Sequence, residues 1–312
     1  MSNTNKIPLI AVVGPTASGK TELGIFLAER FSGEVVSADS MQVYRGMHIA
    51  SAAPDADEMR GIPHHLIEFL EPEENFSVSD YVNLAQKVID DIYSRGKLPI
   101  LVGGTGLYVN SLTESIDFGE FSPNPELRAS LEHEYDSLGG EEMLKRVGEK
   151  DPQYAESLHV NDRKRIVRAI EIMEQTGETV SSRLLKSKSG GQKYNTLFLG
   201  VTYSNREMLY ERINRRVDLM LEKGLVDEAR AAYGNKLATA SQAIGHKEIF
   251  DYFEGKKTLQ EAAEFLKMQT RRYAKRQLTW FRRNEKINWL FRDKQDIKTE
   301  AEKITEKFLR EE

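Results

Sequence analysis

The 312-residue chain contains no cysteine, so neither a disulfide framework nor a thiolate metal site can form. That absence fits a reducing compartment. No apolar run approaches the length of a membrane span. The first such run, Ile7 to Val13, is interrupted by Pro8 and is too short for a signal peptide. These absences predict a cytoplasmic protein with no membrane partner. Internal repeats and low-complexity tracts are also missing. The adjacent pair His64 and His65 lacks the i, i+4 spacing at which two imidazoles converge on one ion, so both are expected to be structural rather than zinc ligands. What remains is an ordinary globular balance, 39% hydrophobic and 30% charged, in a chain long enough to bury a sizeable core.

Net charge is −5, which taken whole argues against nucleic acid as a partner. The distribution says otherwise. Between Lys267 and Lys286 stand eight basic residues and a single acid, Glu285. A phosphate backbone meets a local patch, not an average. In a helix, Leu266, Tyr273 and Trp280 share a face, while Lys267, Arg271, Lys275, Arg282 and Lys286 fall opposite. A solvated charged face is the ordinary meaning of that pattern. With few acids to compensate, RNA phosphate contact is the favoured one, through Arg271 and Lys275.

Strands are predicted at Ile7–Val13, Glu34–Ser37, Pro99–Val102, Thr196–Val201 and Ile287–Leu290. Helices at Lys20–Phe31 and Ser79–Ser94 alternate with them, which implies parallel βαβ units. From about residue 118 to 194 strand signals vanish. Asn124-Pro125 reads as a helix cap followed by Pro at the first helical position. Leu127, Leu131, Tyr135 and Leu138 follow as an apolar stripe. A second helix is expected from Asp162 to about Gln175, and Lys186–Lys193 reads as a linker. On that second helix Lys164 and Arg168 lie off the apolar stripe, open to the same two readings as the C-terminal patch. The prediction is an α/β core, residues 1–117 and 195–312, carrying an all-helical insert, residues 118–194. Ser204-x-x-Glu207 and Thr258-x-x-Glu261 mark two further helix starts as capping boxes, the second helix running to about Asn284.

Gly14 to Thr21, GPTASGKT, matches G-x-x-x-x-G-K-[ST] at each fixed position and lies between a strand and a helix. Backbone N–H groups at a helix N-terminus converge on an anion. Gly14 and Gly19 let the chain wrap closely, with Thr16, Ala17 and Ser18 between them. Lys20 reaches the phosphates and the Thr21 hydroxyl can ligate Mg²⁺. The motif specifies a polyphosphate with Mg²⁺, and nucleotides such as ATP belong to that class. No strand ends in the Asp by which P-loop ATPases hold their metal; the VIDD of Val88–Asp91 falls in a helical pattern. This weakens a hydrolytic motor and leaves small-molecule kinases and diphosphate-using transferases.

Asp39 follows the second strand, and ligands of open α/β sheets bind beyond the carboxyl ends of strands. A carboxylate there can accept a proton from an attacking amine or hydroxyl. A turn or capping role is an equal alternative. The Gly103–Tyr108 loop, GGTGLY, opens on the same edge, and its glycines suit either a ligand or a close strand-to-helix turn.

Together these motifs resemble the tRNA dimethylallyltransferase (isopentenyl-diphosphate:tRNA isopentenyltransferase) family. The matching pieces are GPTASGKT, DSMQVYRGM from Asp39, IPHHL from Ile62, FSVSDY from Phe76, LVGGTGLY from Leu101, NDRKRIVRAIE from Asn161, AIGHKE from Ala243 and TRRYAKRQLTWFR from Thr270. They occur in the family's order and span nearly the whole chain. The resemblance implies a P-loop NTPase-like parallel sheet and transfer of a dimethylallyl group from its diphosphate to N6 of the adenosine 3′-adjacent to the anticodon. It implies that the P-loop grips the diphosphate, that Asp39 takes or polarises the N6 proton, and that Thr21 orients the leaving group with Mg²⁺. It places tRNA contacts at Asp39, Ser40, Met41 and Gln42, at Thr105 and Arg128, along Arg163, Lys164, Arg165 to Val167, and along Gln242 to Lys247, which includes Gly245 and His246. The expected partners are a tRNA anticodon stem-loop and dimethylallyl diphosphate, with the protein a monomer. Two departures stand out. Ala50, Ser51 and Ala53 replace a Gly, a Thr and a Lys of the usual IGTAKP, and His246 replaces a Tyr. The competing reading is a P-loop kinase of a nucleoside or small metabolite, which needs neither the basic patch nor the insert.

Overall fold

The computed structural model describes residues 6–116, 124–187, 191–235, 240 and 243–311. The chain divides into two compact units, Met1–Thr113 with Lys193–Glu312, and Glu114–Gln192. In the first unit the leading segment runs β1 (Ile7–Val13), α1 (Lys20–Arg30), β2 (Gly33–Ser37), α2 (His48–Ser51), α3 (Ala56–Met59), β3 (His64–His65), α4 (Val78–Ser94), β4 (Leu98–Gly103) and α5 (Gly106–Thr113). The second unit is helical, with α6 (Pro125–Leu138), α7 (Gly140–Lys150), α8 (Pro152–Ala155), α9 (Arg163–Thr176) and α10 (Val180–Ser187). The chain returns to the first unit as β5 (Tyr194–Thr202), α11 (Arg206–Glu222), α12 (Leu225–Asn235), α13 (Lys247–Phe253), α14 (Leu259–Phe281), β6 (Ile287–Phe291) and α15 (Ile297–Arg310).

The six strands form one sheet in the order β3-β2-β4-β1-β5-β6, every neighbouring pair parallel. Leu9 to Val13 of β1 are wholly buried, as expected for a central strand covered on both faces. Alternate residues point to opposite faces. Ile10 and Val12, Ile100 and Val102, and Leu199 and Val201 therefore pack on one side, against Leu23 and Leu27 of α1 and Ile297 of α15. Strand order decides the site. Because β4 lies between β2 and β1, the loops leaving β2, β4 and β1 emerge side by side. Ser37 pairs with Val102 and Val13 with Gly103, so all three leave at one level.

In the helical unit Asn124 caps α6 through its side chain, which accepts from Leu127 N at 3.0 Å, with Pro125 next. Leu131, Met143, Val147, Ile166, Val167, Ile170 and Met173 form its core. Leu138, expected on the apolar stripe, is instead 56% exposed at the last position of α6. Of the predicted linker, residues 188–190 lie outside the described residues, and α10 extends through Ser187. The Thr258 capping box is present, with Glu261 N donating to Thr258 at 3.2 Å. The Ser204 box is not. Asp293, at the exit of β6, accepts from both Ser204 N and Oγ, and Asn205 caps α11 in its place.

Candidate active site

The three loops enclose a cavity of about 330 Å³. Its lining is mixed: Thr16, Lys20, Thr21, Asp39, Arg216 and Arg276 are polar or charged, and Val35, Ile67, Val217, Met220, Ile244 and Leu266 are apolar.

The P-loop takes its shape from residues at positive φ, with Gly14 at 146°, Ala17 at 61° and Gly19 at 89°. Space enforces glycine as well. A Cβ on Gly14 would lie 2.3 Å from the Val201 carbonyl oxygen, and one on Gly19 would run into Arg292. Arg212 Nε donates to Ala17 O at 3.3 Å, tying α11 to the loop. The Ser18 hydroxyl is buried and has no partner among the described residues.

Lys20 Nζ donates to Pro15 O at 2.9 Å. Burial, with Arg216 adding to it and Asp39 opposing it, holds the Lys20 amine down at about 8. Burial likewise pushes Arg216 below its usual range, while Asp39 opposes the shift. Two desolvated cations face one cavity, and neither has an ion-pair partner among the described residues. Keeping positive charge in such a place is unfavourable until an anion arrives. Arg216 carried no motif signal, because one arginine in the NRRVD of α11 looks like any solvated helix charge.

Asp39 combines a turn contact with a place in the cavity. Its Oδ1 accepts from Met41 N at 2.9 Å, an Asx-turn contact, and the residue also lines the cavity. Ser40 N donates to Thr105 Oγ1 at 3.1 Å and Thr105 N to Ala38 O at 3.1 Å, joining the loops after β2 and β4. Gln42 accepts from Ser37 Oγ at 2.8 Å and donates to Ala52 O at 3.3 Å. Met41, Gln42, Ala50, Ser51 and Lys247 line the cavity. Burial pushes the Tyr273 phenol well above its ordinary range, and Asp39 adds to the shift.

The glycines after β4 serve protein contacts. A Cβ on Gly103 would meet Ala38 O at 2.2 Å, one on Gly104 the Gln277 amide and one on Gly106 the Trp280 indole. Gln277 is a connector that the sequence did not flag. Its Oε1 accepts from the P-loop Thr16 N at 2.8 Å, and its Nε2 donates to Gly104 O at 3.0 Å. Among the described residues no group of three or more His, Asp or Glu could hold a metal alone. His65 bonds Glu34 at 2.8 Å; His64 bonds Ile62 O through Nδ1 but also lines the cavity, its buried Nε2 without a partner among the described residues.

With this geometry in view, the IPP transferase family model matches residues 42–284. A tRNA dimethylallyltransferase of Caldanaerobacter subterraneus subsp. tengcongensis is 46% identical over 303 residues, 95% of each chain. The chain belongs to the tRNA dimethylallyltransferase family. The crystal structure of a tRNA isopentenylpyrophosphate transferase from Bacillus halodurans is 45% identical, with a TM-score of 0.68 over 92% of this chain and 90% of that one. A eukaryotic dimethylallyltransferase captured acting on tRNA is 33% identical, with a TM-score of 0.75 over 89% of this chain and 70% of that one. The P-loop NTPase-like fold expected from the motifs is that of the family, and the kinase reading gives way.

Membership in the dimethylallyltransferase family does not make each expected tRNA contact accessible. His246 is fully buried, and its Nε2 donates to Glu228 at 2.8 Å, so its side chain is a strut and not a contact surface. Gln242 lies outside the described residues. Gly245 takes φ 121° and donates its N–H to Glu248 at 2.9 Å. In the helical unit Arg128 forks onto the buried Glu171, at 2.8 Å, and Arg163 onto Asp136, at 2.8 Å. Arg165 reaches Asp162 at 3.3 Å, and Lys164 is exposed. On α14 the supposed lack of acids fails at Lys267, which pairs with Asp218 at 2.7 Å and Glu264 at 2.9 Å. Arg271 donates to Asn214 at 2.6 Å, which turns it toward α11. Lys275 stays exposed, in a groove with Arg272, Arg276, Arg283 and Trp280.

Proposed function

We propose that this protein transfers the dimethylallyl group of dimethylallyl diphosphate to N6 of the adenosine immediately 3′ of a tRNA anticodon, releasing diphosphate. The meeting of desolvated Lys20 and Arg216 with Asp39, in a cavity that also presents Val35, Ile67, Val217, Met220, Ile244 and Leu266, carries this reading. An anionic head and a short branched alkenyl tail need both kinds of lining. The P-loop N–H groups, Lys20 and Arg216 receive the diphosphate. The apolar wall receives the five-carbon tail and excludes water. The C1–O bond breaks as N6 bonds to C1, and the negative charge growing on the leaving diphosphate is met by cations already in place. Asp39 accepts the proton that N6 loses. The base reaches the cavity only by leaving its stack.

The donors present fit Mg²⁺. Thr21 would hold the ion through its hydroxyl oxygen, a single protein ligand that cannot cage it alone, so the site would take Mg²⁺ together with the diphosphate. When bound, Mg²⁺ would supply further neutralisation of the diphosphate. Lys275 and its neighbours on α14, with Lys164 of the helical unit Glu114–Gln192, are assigned to the tRNA. The protein is proposed to act as a cytoplasmic monomer. Purified protein, Mg²⁺, radiolabelled dimethylallyl diphosphate and unmodified tRNA test the reading, beside an ATP arm and a free-AMP arm. Label in the tRNA is expected. Phosphate transfer from ATP with unlabelled tRNA would overturn it.

A further inference from the structure

The residues that fix one wall of the cavity, the segment Ala50 to Pro54, lie outside the cavity. α2 begins without a side-chain cap, since its N-cap residue is Met47. Its first N–H groups are instead taken by a carboxylate from α12. Ile49 N donates to Glu228 Oε2 at 2.7 Å and Ala50 N to Glu228 Oε1 at 2.9 Å. His246 Nε2 donates to Glu228 Oε1 at 2.8 Å. An ionised carboxylate only accepts, so Nε2 carries the hydrogen, and the buried Nδ1 has no partner among the described residues. Glu228 is only 10% exposed and His246 not at all. Glu228 has no Lys or Arg ion-pair partner among the described residues. The carboxylate is spent on holding two main-chain groups.

Those groups matter because of the segment they anchor. Ala50, Ser51, Ala52 and Pro54 line the cavity. The carbonyls of Ser51 and Ala52 accept from the Gln42 amide, whose oxygen accepts from Ser37. A chain of hydrogen bonds thus runs from Glu228 through α2 to Gln42 and Ser37, both cavity-lining residues. Beneath it Gly245, at φ 121°, passes so close that its Cβ would stand 3.1 Å from that of Ala50.

We propose that Glu228, held by His246, is a positioning residue that sets the distance of the α2 wall from the diphosphate and so limits the prenyl chain the cavity accepts. The proposal rests on the prenyl-transfer reading above. Glu228 touches no substrate. Its removal leaves the P-loop intact and frees one wall.

Glu228→Gln retains the shape but removes the charge and one of the two acceptors; Glu228→Ala removes both acceptors. Steady-state transfer to tRNA is measured with dimethylallyl and with geranyl diphosphate, and calorimetry measures binding of inorganic diphosphate. Hydrogen bonds to a charged group, once lost, are expected to raise KM for dimethylallyl diphosphate about tenfold in Glu228→Ala and less in Glu228→Gln. Little change in kcat is expected, and discrimination against the geranyl substrate should narrow. Inorganic diphosphate should bind as in the parent, which certifies a folded P-loop. Unchanged KM and unchanged chain-length discrimination in both variants overturn the proposal. So does an equal loss of inorganic diphosphate binding, which marks general destabilisation. A parent protein that labels no tRNA sinks the functional reading instead, so the two failures are distinct.

Discussion

Charged residues in the cavity and in the helical unit are treated in opposite ways. In the cavity Lys20, Arg216 and Asp39 face one space without an ion pair among the described residues. In the helical unit Arg128 and Arg168 share the buried Glu171, and Arg146 joins Glu134 and Glu174. Paired charge is satisfied and holds helices together. Unpaired, desolvated charge is costly and persists where a ligand will complete it. A count of basic residues along the sequence cannot separate the two.

The largest test of this contrast is Asp39→Ala. It should lower single-turnover transfer by roughly 10² to 10⁴ while diphosphate binding, followed by calorimetry, survives. Equal rates would remove Asp39 from the chemistry. Next comes pH. Lys20 titrates at about 8 in the free protein, and an anion beside it raises that value. Affinity for dimethylallyl diphosphate should therefore be level below pH 8 and fall above it, by up to about tenfold per unit. Lys20→Arg should flatten the curve, because guanidinium does not titrate there. A parent curve that is flat to pH 9.5 would disprove the desolvated-amine argument.

The surface gives a smaller effect. Changing Arg272, Lys275 and Arg276 to Gln should reduce the salt slope of tRNA binding by about 2. Changing Arg128 and Arg163 should move it less, since acids already claim both side chains. An equal drop would erase the distinction between the regions. Glu171→Gln should cost stability, about 2 kcal/mol by urea melting, because two arginines lose their shared carboxylate. The smallest effect is at acid pH. Hydrogen bonding to Arg95, against burial and with help from His65, holds Glu34 at about 2. Its contribution is present above the unfolded value of about 4.5 and is lost as pH falls toward 2.

Much of this was legible beforehand. A seven-residue apolar strand, a Gly-rich anion loop and Asn124-Pro125 are local signals, each produced by the backbone that carries it. The eight motifs pointed to the family that the comparisons then showed. Most of the misses share a cause, a partner distant in sequence; Leu138 is the exception. β3 has two residues and no periodicity, and it exists because β2 offers an edge. Ser204 fits a capping box until Asp293 captures it. Leu138 continues a stripe whose core has already ended. Lys267 looked uncompensated because Asp218 is on another helix.

By itself the sequence determined the anion loop, the acid after the second strand, the helical character of the described stretch from Pro125 to Ser187 and the family. Those features depend on residues within a turn or two of each other, or on order along the chain. The tertiary structure decided which charges are available. Strand order set three loops side by side, α11 brought Arg216 to Lys20, and α12 lent Glu228 to the wall of the cavity. Whether a charge is spent or free depends on what packs beside it, and packing is not written locally.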